Sequence, residues 1–381
     1  MRSCILTVQV CVVIIKLTKT LCLFTLLVLS LALSNCASTE KKETNEIVLY
    51  PPQPNPPRIQ YLTTLSGPED LIDDKTSFSS FIMGKEGSDS ALVVKPYGVS
   101  IADGIVYVVD IRGPGYAYFD LKNKKFDIVY GALSGKMYKP INISIDKDGT
   151  KYITDTIRSL ILVYGSDNKF IKIIGDGKAF KPSDVLIVDD KLYVTDLIHH
   201  QLHILDKISG DIIQTIGSRG SENGQLYFPT NLALGPNNHI YVSESGNFRV
   251  QEFTLKGAHV KSYGKVGTGL GNFARPKGIA IDRDGRMHVV DGAFENVQIL
   301  DKEGKLLMFY GETGSLRHNI NLPADIVVDY ENVKYFSKYA DPKFKVEYII
   351  LVASQFGASK VNVYGFGKMD GYDYSVEAEN K

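Results

Sequence analysis

Beyond residue 36 the chain has no cysteine; its four thiols are Cys4, Cys11, Cys22 and Cys36. A polypeptide starting at Cys36 therefore has no intrachain disulfide, no thiolate metal site, no cysteine nucleophile and no C-x-x-C-H haem attachment. An excess of charge of either sign is missing too. Lys+Arg and Asp+Glu both number 43. Without residues 1–35, whose only charges are Arg2, Lys16 and Lys19, the balance falls to −3. No basic surplus is left to hold a phosphate backbone, so nucleic acid is not expected as a partner. Two catalytic templates are absent as well: there is no G-x-S-x-G elbow and no P-loop lysine motif. Gly267-Thr268-Gly269-Leu270-Gly271 is glycine-rich, but a strand pattern follows it and not a helix. It reads as a crossing between strands rather than a phosphate cradle.

What the chain does have is one pattern repeated six times. It begins with KPYGVSIADGIVYVVD (95–110), KPINISIDKDGTKYITD (139–155), KPSDVLIVDDKLYVTD (181–196), FPTNLALGPNNHIYVSE (228–244), RPKGIAIDRDGRMHVVD (275–291) and LPADIVVDY (322–330). Each copy has a proline, a short apolar strand, a turn and a second strand, which ends in an acid in five of six. Pro96, Pro140, Pro182, Pro229, Pro276 and Pro323 are spaced by 44, 42, 47, 47 and 47 residues. A repeat of this length carrying only strand signals predicts an all-β, six-bladed β-propeller of four-stranded antiparallel blades. Within a blade, strand a follows the proline, strand b ends at the acid, strand c is the next apolar alternation and strand d ends at a glycine such as Gly131 or Gly264. Blade six has no strand d before the polar tail 368–381. Residues 58–65 are expected to supply it from the N-terminal side and so close the ring.

Residues 1–35 have basic flanks and an apolar run from Leu21 to Leu33 that leads into Leu33-Ser34-Asn35-Cys36. They resemble a bacterial lipoprotein signal, which implies cleavage before Cys36 and lipidation of that cysteine. An uncleaved membrane anchor is the alternative. Residues 36–57, ending in Pro51, Pro52, Pro54, Pro56 and Pro57, read as a semi-rigid tether. The propeller is expected over 58–367. The expected location is the cell envelope, and Ala37-Ser38 after the cysteine favours the outer membrane.

The unit P-x-[GND]-[IVL]-x-[IVL] … [IVL]-Y-V-x-D … G resembles the NHL repeat, most closely over 228–263 and 275–310. Relatives of that kind include sensor ectodomains, RNA-binding modules, amidating lyases and, more distantly, lactonases. The resemblance thus implies a fold, and function has to come from the site. The proline tether followed by Arg58-Ile59-Gln60-Tyr61-Leu62 is similar to a group of bacterial propeller lipoproteins, which implies a neighbourhood with extracytoplasmic redox proteins.

Two places break the repeat. Two residues past each proline stand Gly98, Asn142, Asp184, Asn231, Gly278 and Asp325. Carboxylates beside the axis need water, a cation or a polar ligand. Asn142, Asp184, Asn231 and Asp325 are therefore the candidate channel-mouth ligand or cation site, for calcium or zinc. The second break is an insertion at 331–347 with four aromatics, Tyr335, Phe336, Tyr339 and Phe344, among four lysines. It is either a partner-binding element or a local lid. The strand-b acids Asp110, Asp155, Asp196, Glu244 and Asp291 are expected to be structural, accepting hydrogen bonds from the following turn. The lyase relatives imply a zinc with several converging histidines. His199, His200 and His318 fall on the same face here and stay open as such a set; no other three histidines come together. The leading expectation is a non-catalytic, lipid-anchored propeller that binds a protein or peptide. The alternative is a metal-dependent lyase or lactonase-like enzyme acting at the channel mouth.

Overall fold

Five of the six repeat prolines open a strand, because a missing N–H and fixed φ suit the first position of a ladder. In the computed structural model, which describes residues 47–72 and 93–374, Pro96, Pro140, Pro182, Pro229 and Pro276 are the first residues of five strands. Pro323 is the third residue of the sixth, Asn321–Asp329. Blade one contains Pro96–Ala102, Ile105–Asp110, Gly115–Asp120 and Lys125–Val129, paired in that order. The same antiparallel order recurs over 140–174, 182–216, 229–263 and 276–310. Strand a of each blade packs on strand a of the next, and that of blade six returns to blade one. The fold is thus the six-bladed propeller. Helix is limited to one α-turn, Val333–Phe336, and short 3-10 segments among the described residues.

Blade six is closed from the other end of the chain. Its strands are Asn321–Asp329, Phe344–Phe356 and Val361–Met369, and Ile59–Leu65 pairs antiparallel with the last of these. Ile59, Leu62 and Leu65 on this closing strand are buried. Outside it lies a fifth, two-residue strand, with Leu49 opposite Gln60 and Tyr50 opposite Ile59. The end of the segment expected as tether is therefore folded against the propeller, and Tyr50 meets Tyr310 with ring centroids 6.1 Å apart. At the other end, Tyr374 donates to Pro57 O at 2.7 Å. The expected signal peptide, Cys36 and the rest of the expected tether lie outside the described residues, as do 73–92 and 375–381.

Apolar burial falls into six clusters, one at each contact between neighbouring blades. Tyr107, Ile143 and Leu162 fill the first, between blades one and two. Leu65, Val99, Phe336 and Leu351 fill the one that joins blade six to blade one. Period-two alternation explains this arrangement, because each blade has two apolar faces and each must be covered by a neighbour.

The insertion is shorter than its sequence suggested. Strand b of blade six starts at Phe344, with a bulge between Val346 and Tyr348, so only 331–343 lie outside the ladder. Phe336 and Phe344 are buried, Tyr335 is half-buried and only Tyr339 is exposed. Asn332 Oδ1 accepts Gly104 N–H at 2.8 Å, tying the insertion to blade one. Gly104 has φ +77°, and a Cβ there would stand 2.8 Å from Tyr335 Oη, so glycine is required twice over. The segment is a lid across the bottom of the contact between blades six and one.

Candidate functional site

The strand-b acids explain why the repeat carries an acid at all. Asp110 accepts N–H groups of Val94, Lys95, Arg112 and Gly113. Asp155 and Asp291 do the same in their own blades. Each carboxylate clamps the crossing that enters a blade to that blade's b–c loop, so the residues just before and after the proline are held around the upper end of the channel.

A register shift follows every repeat proline, for instance between Pro96 and Val99 and between Pro323 and Asp325. This bulge turns the first residue past the proline toward the mouth. Tyr97, Ile141, Ser183 and Thr230 line a cavity of 560 Å³ there, with Ile111, Thr156, Ile157, Leu197 and Ile198 from the b–c loops as its wall.

The second residues past the proline lie one step deeper. Asn142, Asp184, Asn231 and Asp325 are all buried, at 3–6% exposure. Asn231 Nδ2 donates to Asp325 Oδ1 at 3.0 Å, across the channel from blade four to blade six. Asp325 Oδ2 accepts Val99 N–H at 3.0 Å, and Asp184 accepts the amides of Val185 and Leu232 at 2.7 and 2.8 Å. Asn231 Oδ1 is buried with no partner. Asn142 stands apart: its Oδ1 accepts the Ile143 amide and faces Gly98. Glycine at 98 and 278 is what admits the neighbouring blade, since a Cβ on Gly278 would come within 2.5 Å of Asp325 Cα.

Two carboxylates in this space perturb each other. Burial pushes the Asp325 carboxyl up to about 7 against the three donors that favour its charge. Burial, then the charge of Asp325, raises Asp184 well above the carboxylate range. Tyr97, half-buried above them, is pushed up to about 12 by burial, with Asp325 and Asp184 adding to the shift and Arg275 opposing it. Buried, perturbed carboxylates next in sequence to the lining of a cavity make this a candidate functional site. Oxygen-only donors, two of them carboxylates and one an orphaned amide oxygen, suit a hard cation such as calcium better than zinc.

A second cluster lies off the axis in blade three. Asp196 Oδ2 stands 2.6 Å from His199 Nδ1 and 3.2 Å from His203 Nε2, and these ligand atoms lie close enough together to share a metal ion. Burial would raise Asp196, but hydrogen bonds from His203, the Lys181 amide, His199 and the Ile198 amide outweigh it and hold the carboxyl well below its usual range. Blade four shows the same geometry without histidine. Asn247 and Gln251 occupy the equivalent positions and donate to Glu244 at 2.7 Å each. His199 and His203 are thus hydrogen-bond donors to a structural acid. Exchanging them for blade four's residues, His199→Asn with His203→Gln, should move Tm by no more than about 3 °C. Loss of a bound zinc in native mass spectrometry would instead give them a metal role.

The remaining histidines have local partners, although Nδ1 of His288 is buried without one. His200 Nδ1 accepts Phe228 N–H at 3.1 Å. His318 Nε2 is 3.7 Å from Glu312. His288, with no exposure, is 3.3 Å from Tyr348 Oη at the contact between blades five and six. Sequence reasoning named the deeper ring but missed Tyr97, Ser183, Thr230 and Lys277 in the layer above it. They stand next to each proline, but only the bulge seen in the structure shows that this position faces the mouth.

Comparison with known proteins agrees with this architecture. The NHL repeat model matches residues 226–253, which hold strands a to c of blade four apart from its last residue. A probable peptidyl-alpha-hydroxyglycine alpha-amidating lyase of Caenorhabditis elegans is 26% identical over 140 residues, 35% of this chain and 40% of that protein. The chain thus spans less than half the length of that relative. Among solved structures, a Bacteroides thetaiotaomicron protein of unknown function superposes with a TM-score of 0.55 at 17% identity, covering 81% of this chain and 75% of that one. A gluconolactonase of Xanthomonas campestris superposes at 0.52 with 15% identity, covering 72% and 89%. These structural likenesses concern the fold.

Proposed function

We propose that the protein is an enzyme of the lyase or lactonase-like kind, with its active site at the upper channel mouth. One observation carries this reading: two buried carboxylates that feel each other's charge, and an amide with an unpartnered oxygen bonded to one of them, lie one residue deeper in the chain than the residues lining a 560 Å³ cavity. The partial likeness to an amidating lyase supports the same direction. Asp184, Asp325 and Asn231 would hold a calcium ion, and such an ion supplies Lewis-acid polarisation of a substrate oxygen. The chain's own groups do the rest. Tyr97 keeps its proton at neutral pH and donates a hydrogen bond from the mouth. Ser183 and Thr230 line the cavity with their hydroxyls held by the Thr230 carbonyl at 2.9 Å and by Ser243 at 3.0 Å, while the isoleucine and leucine walls exclude water from the substrate's apolar part.

Calorimetry with calcium and with zinc, followed by turnover assays on a lactone panel and a peptidyl-α-hydroxyglycine with and without EDTA, tests the reading. The expected result is stoichiometric calcium binding and turnover of one substrate class that EDTA abolishes. Binding of neither metal, or calcium binding with no turnover of any substrate, would sink it.

The non-catalytic scaffold reading finds less support, because the aromatic insertion spends Phe336 and Phe344 on the protein's own core. Lipid anchorage in the envelope belongs to the same proposal. Cys36→Ser should abolish incorporation of labelled palmitate and move the propeller into the soluble fraction. Undiminished labelling would remove the anchor.

A further inference from the structure

The upper mouth also holds a cation with no anion. Lys277, the first residue past Pro276, is 4% exposed, and its Nζ lies 4.8 Å from the centroid of the Tyr97 ring. No hydrogen bond or ion pair to that nitrogen occurs among the described residues. A buried ammonium with only an aromatic face beside it is incompletely compensated. Its charged neighbours share its sign: burial first, then Arg275 and Lys95, bring Lys277 down to about 8.

The same sign runs around the rim. Lys95, Lys139, Lys181 and Arg275 precede the proline in four of six blades, and Lys139 and Lys181 line the cavity. Their backbone N–H groups bind Asp110, Asp155, Asp196 and Asp291 in turn. The strand-b carboxylates are thus taken up by amides, and the same bonds fix the four cationic side chains around the opening. Asp184 and Asp325 lie one residue deeper, and neither forms an ion pair with Lys277 among the described residues.

We propose that the mouth recognises the carboxylate of an amphipathic organic acid, with Lys277 Nζ, which borders the cavity across the Tyr97 ring, as its ion-pair partner and Ile111, Ile141, Ile157 and Ile198 of the cavity as the wall for its apolar part. The inference rests on the reading of this mouth as the substrate site, and it does not require the cation below. An unpaired ammonium beside an aromatic ring, with an isoleucine wall near by, suits a carboxylate with a hydrocarbon body. A phosphate dianion would call for a nest of backbone N–H groups, and the mouth's amides are already spent on the strand-b acids.

Trace acetylation of the full chain, read lysine by lysine by mass spectrometry, tests this with straight-chain carboxylates from butanoate to decanoate and their primary amides. At about four times Kd, where occupancy is about 80%, a carboxylate should lower the reactivity of Lys277 roughly fivefold, and the matching amide should leave it unchanged. Lys277→Gln should weaken carboxylate binding about tenfold or more, and the rim variant Lys139→Gln by no more than about twofold. Asp325→Asn separates the two ideas: lost calcium binding with retained carboxylate binding upholds both, and carboxylate binding in a protein that never binds calcium upholds this inference alone. Equal protection by acid and amide, no protection by any acid, or unchanged binding in Lys277→Gln would overturn it. The labelling of the parent chain stands even if that variant fails to fold.

Discussion

Replacing Asp325 by asparagine should make the cation-free protein more stable than the parent at pH 8 and barely different at pH 4. The folded chain holds the Asp325 proton up to about 7, while an unfolded chain releases it near 3.9. Between those values the folded state binds more protons, so the parent loses stability as the pH rises, by roughly 1.4 kcal/mol for each pH unit. An amide does not ionise and escapes this loss. The exchange also suits the local donors. The carbonyl oxygen of the new side chain can take the Val99 amide, and its NH₂ can donate to Asn231 Oδ1, the atom left without a partner, once the Asn231 carboxamide turns over. Asp184 offers no such relief, because both its oxygens already accept backbone amides.

His200 and His288 are both held down by burial. They contribute the opposite slope, since stability lost to their protonation in the unfolded chain returns as the pH rises past 6.5. They are present in both proteins and cancel in the difference. Calcium completes the experiment. At about 100 times its Kd it should stabilise the parent by about 2.7 kcal/mol, or about 5 °C in Tm, and leave the variant unmoved. A pH-independent gap between the two proteins, or an equal calcium shift in both, would refute the assignment.

Removing the closing strand should be the most damaging change of all. Deleting 47–66 takes away Ile59, Leu62 and Leu65, each worth about 1.5–3 kcal/mol of burial. It also leaves Val361–Met369 as an unpaired edge beside blade one. The expected product is aggregated or unfolded, and a synthetic 47–66 peptide added during refolding should restore the soluble ring. A deletion variant with the parent's Tm would show that the ring closes without this strand.

The scaffold was legible because its demands are local and backbone-driven. A proline at each strand start, a glycine at each strand end and an acid that gathers amides recur every 42–47 residues, and the missing strand d of blade six showed up as a deficit in the count. The site was only half legible. The polar ring of Asp184, Asn231 and Asp325 could be named from its unevenness. The bulge after each proline has no sequence signature, however, so the residues that reach the mouth, Tyr97 and Lys277 among them, were passed over for those one step deeper. The cluster in blade three was missed for a related reason. His203 sits on strand c, where alternation sends its side chain to the side of the acid that ends strand b, and that meeting depends on pairing rather than on spacing. In blade six, the alternation was read as resuming at Tyr348, because the bulge beside it hides the first turn of a strand that begins at Phe344.

The pairing of Ile59–Leu65 with Val361–Met369 has a consequence in time. The strand that finishes the ring leaves the ribosome before any complete blade, and its partner leaves only after five of them. About 300 residues separate the two, which at about 5–20 residues per second is about 15–60 s of synthesis. For that interval the growing blades exist as an open arc with an apolar flank on each end, and the segment that would cover one of them waits without a partner. The ring therefore cannot mature blade by blade as an open repeat array does, and its stability arrives in one step after that partner is made.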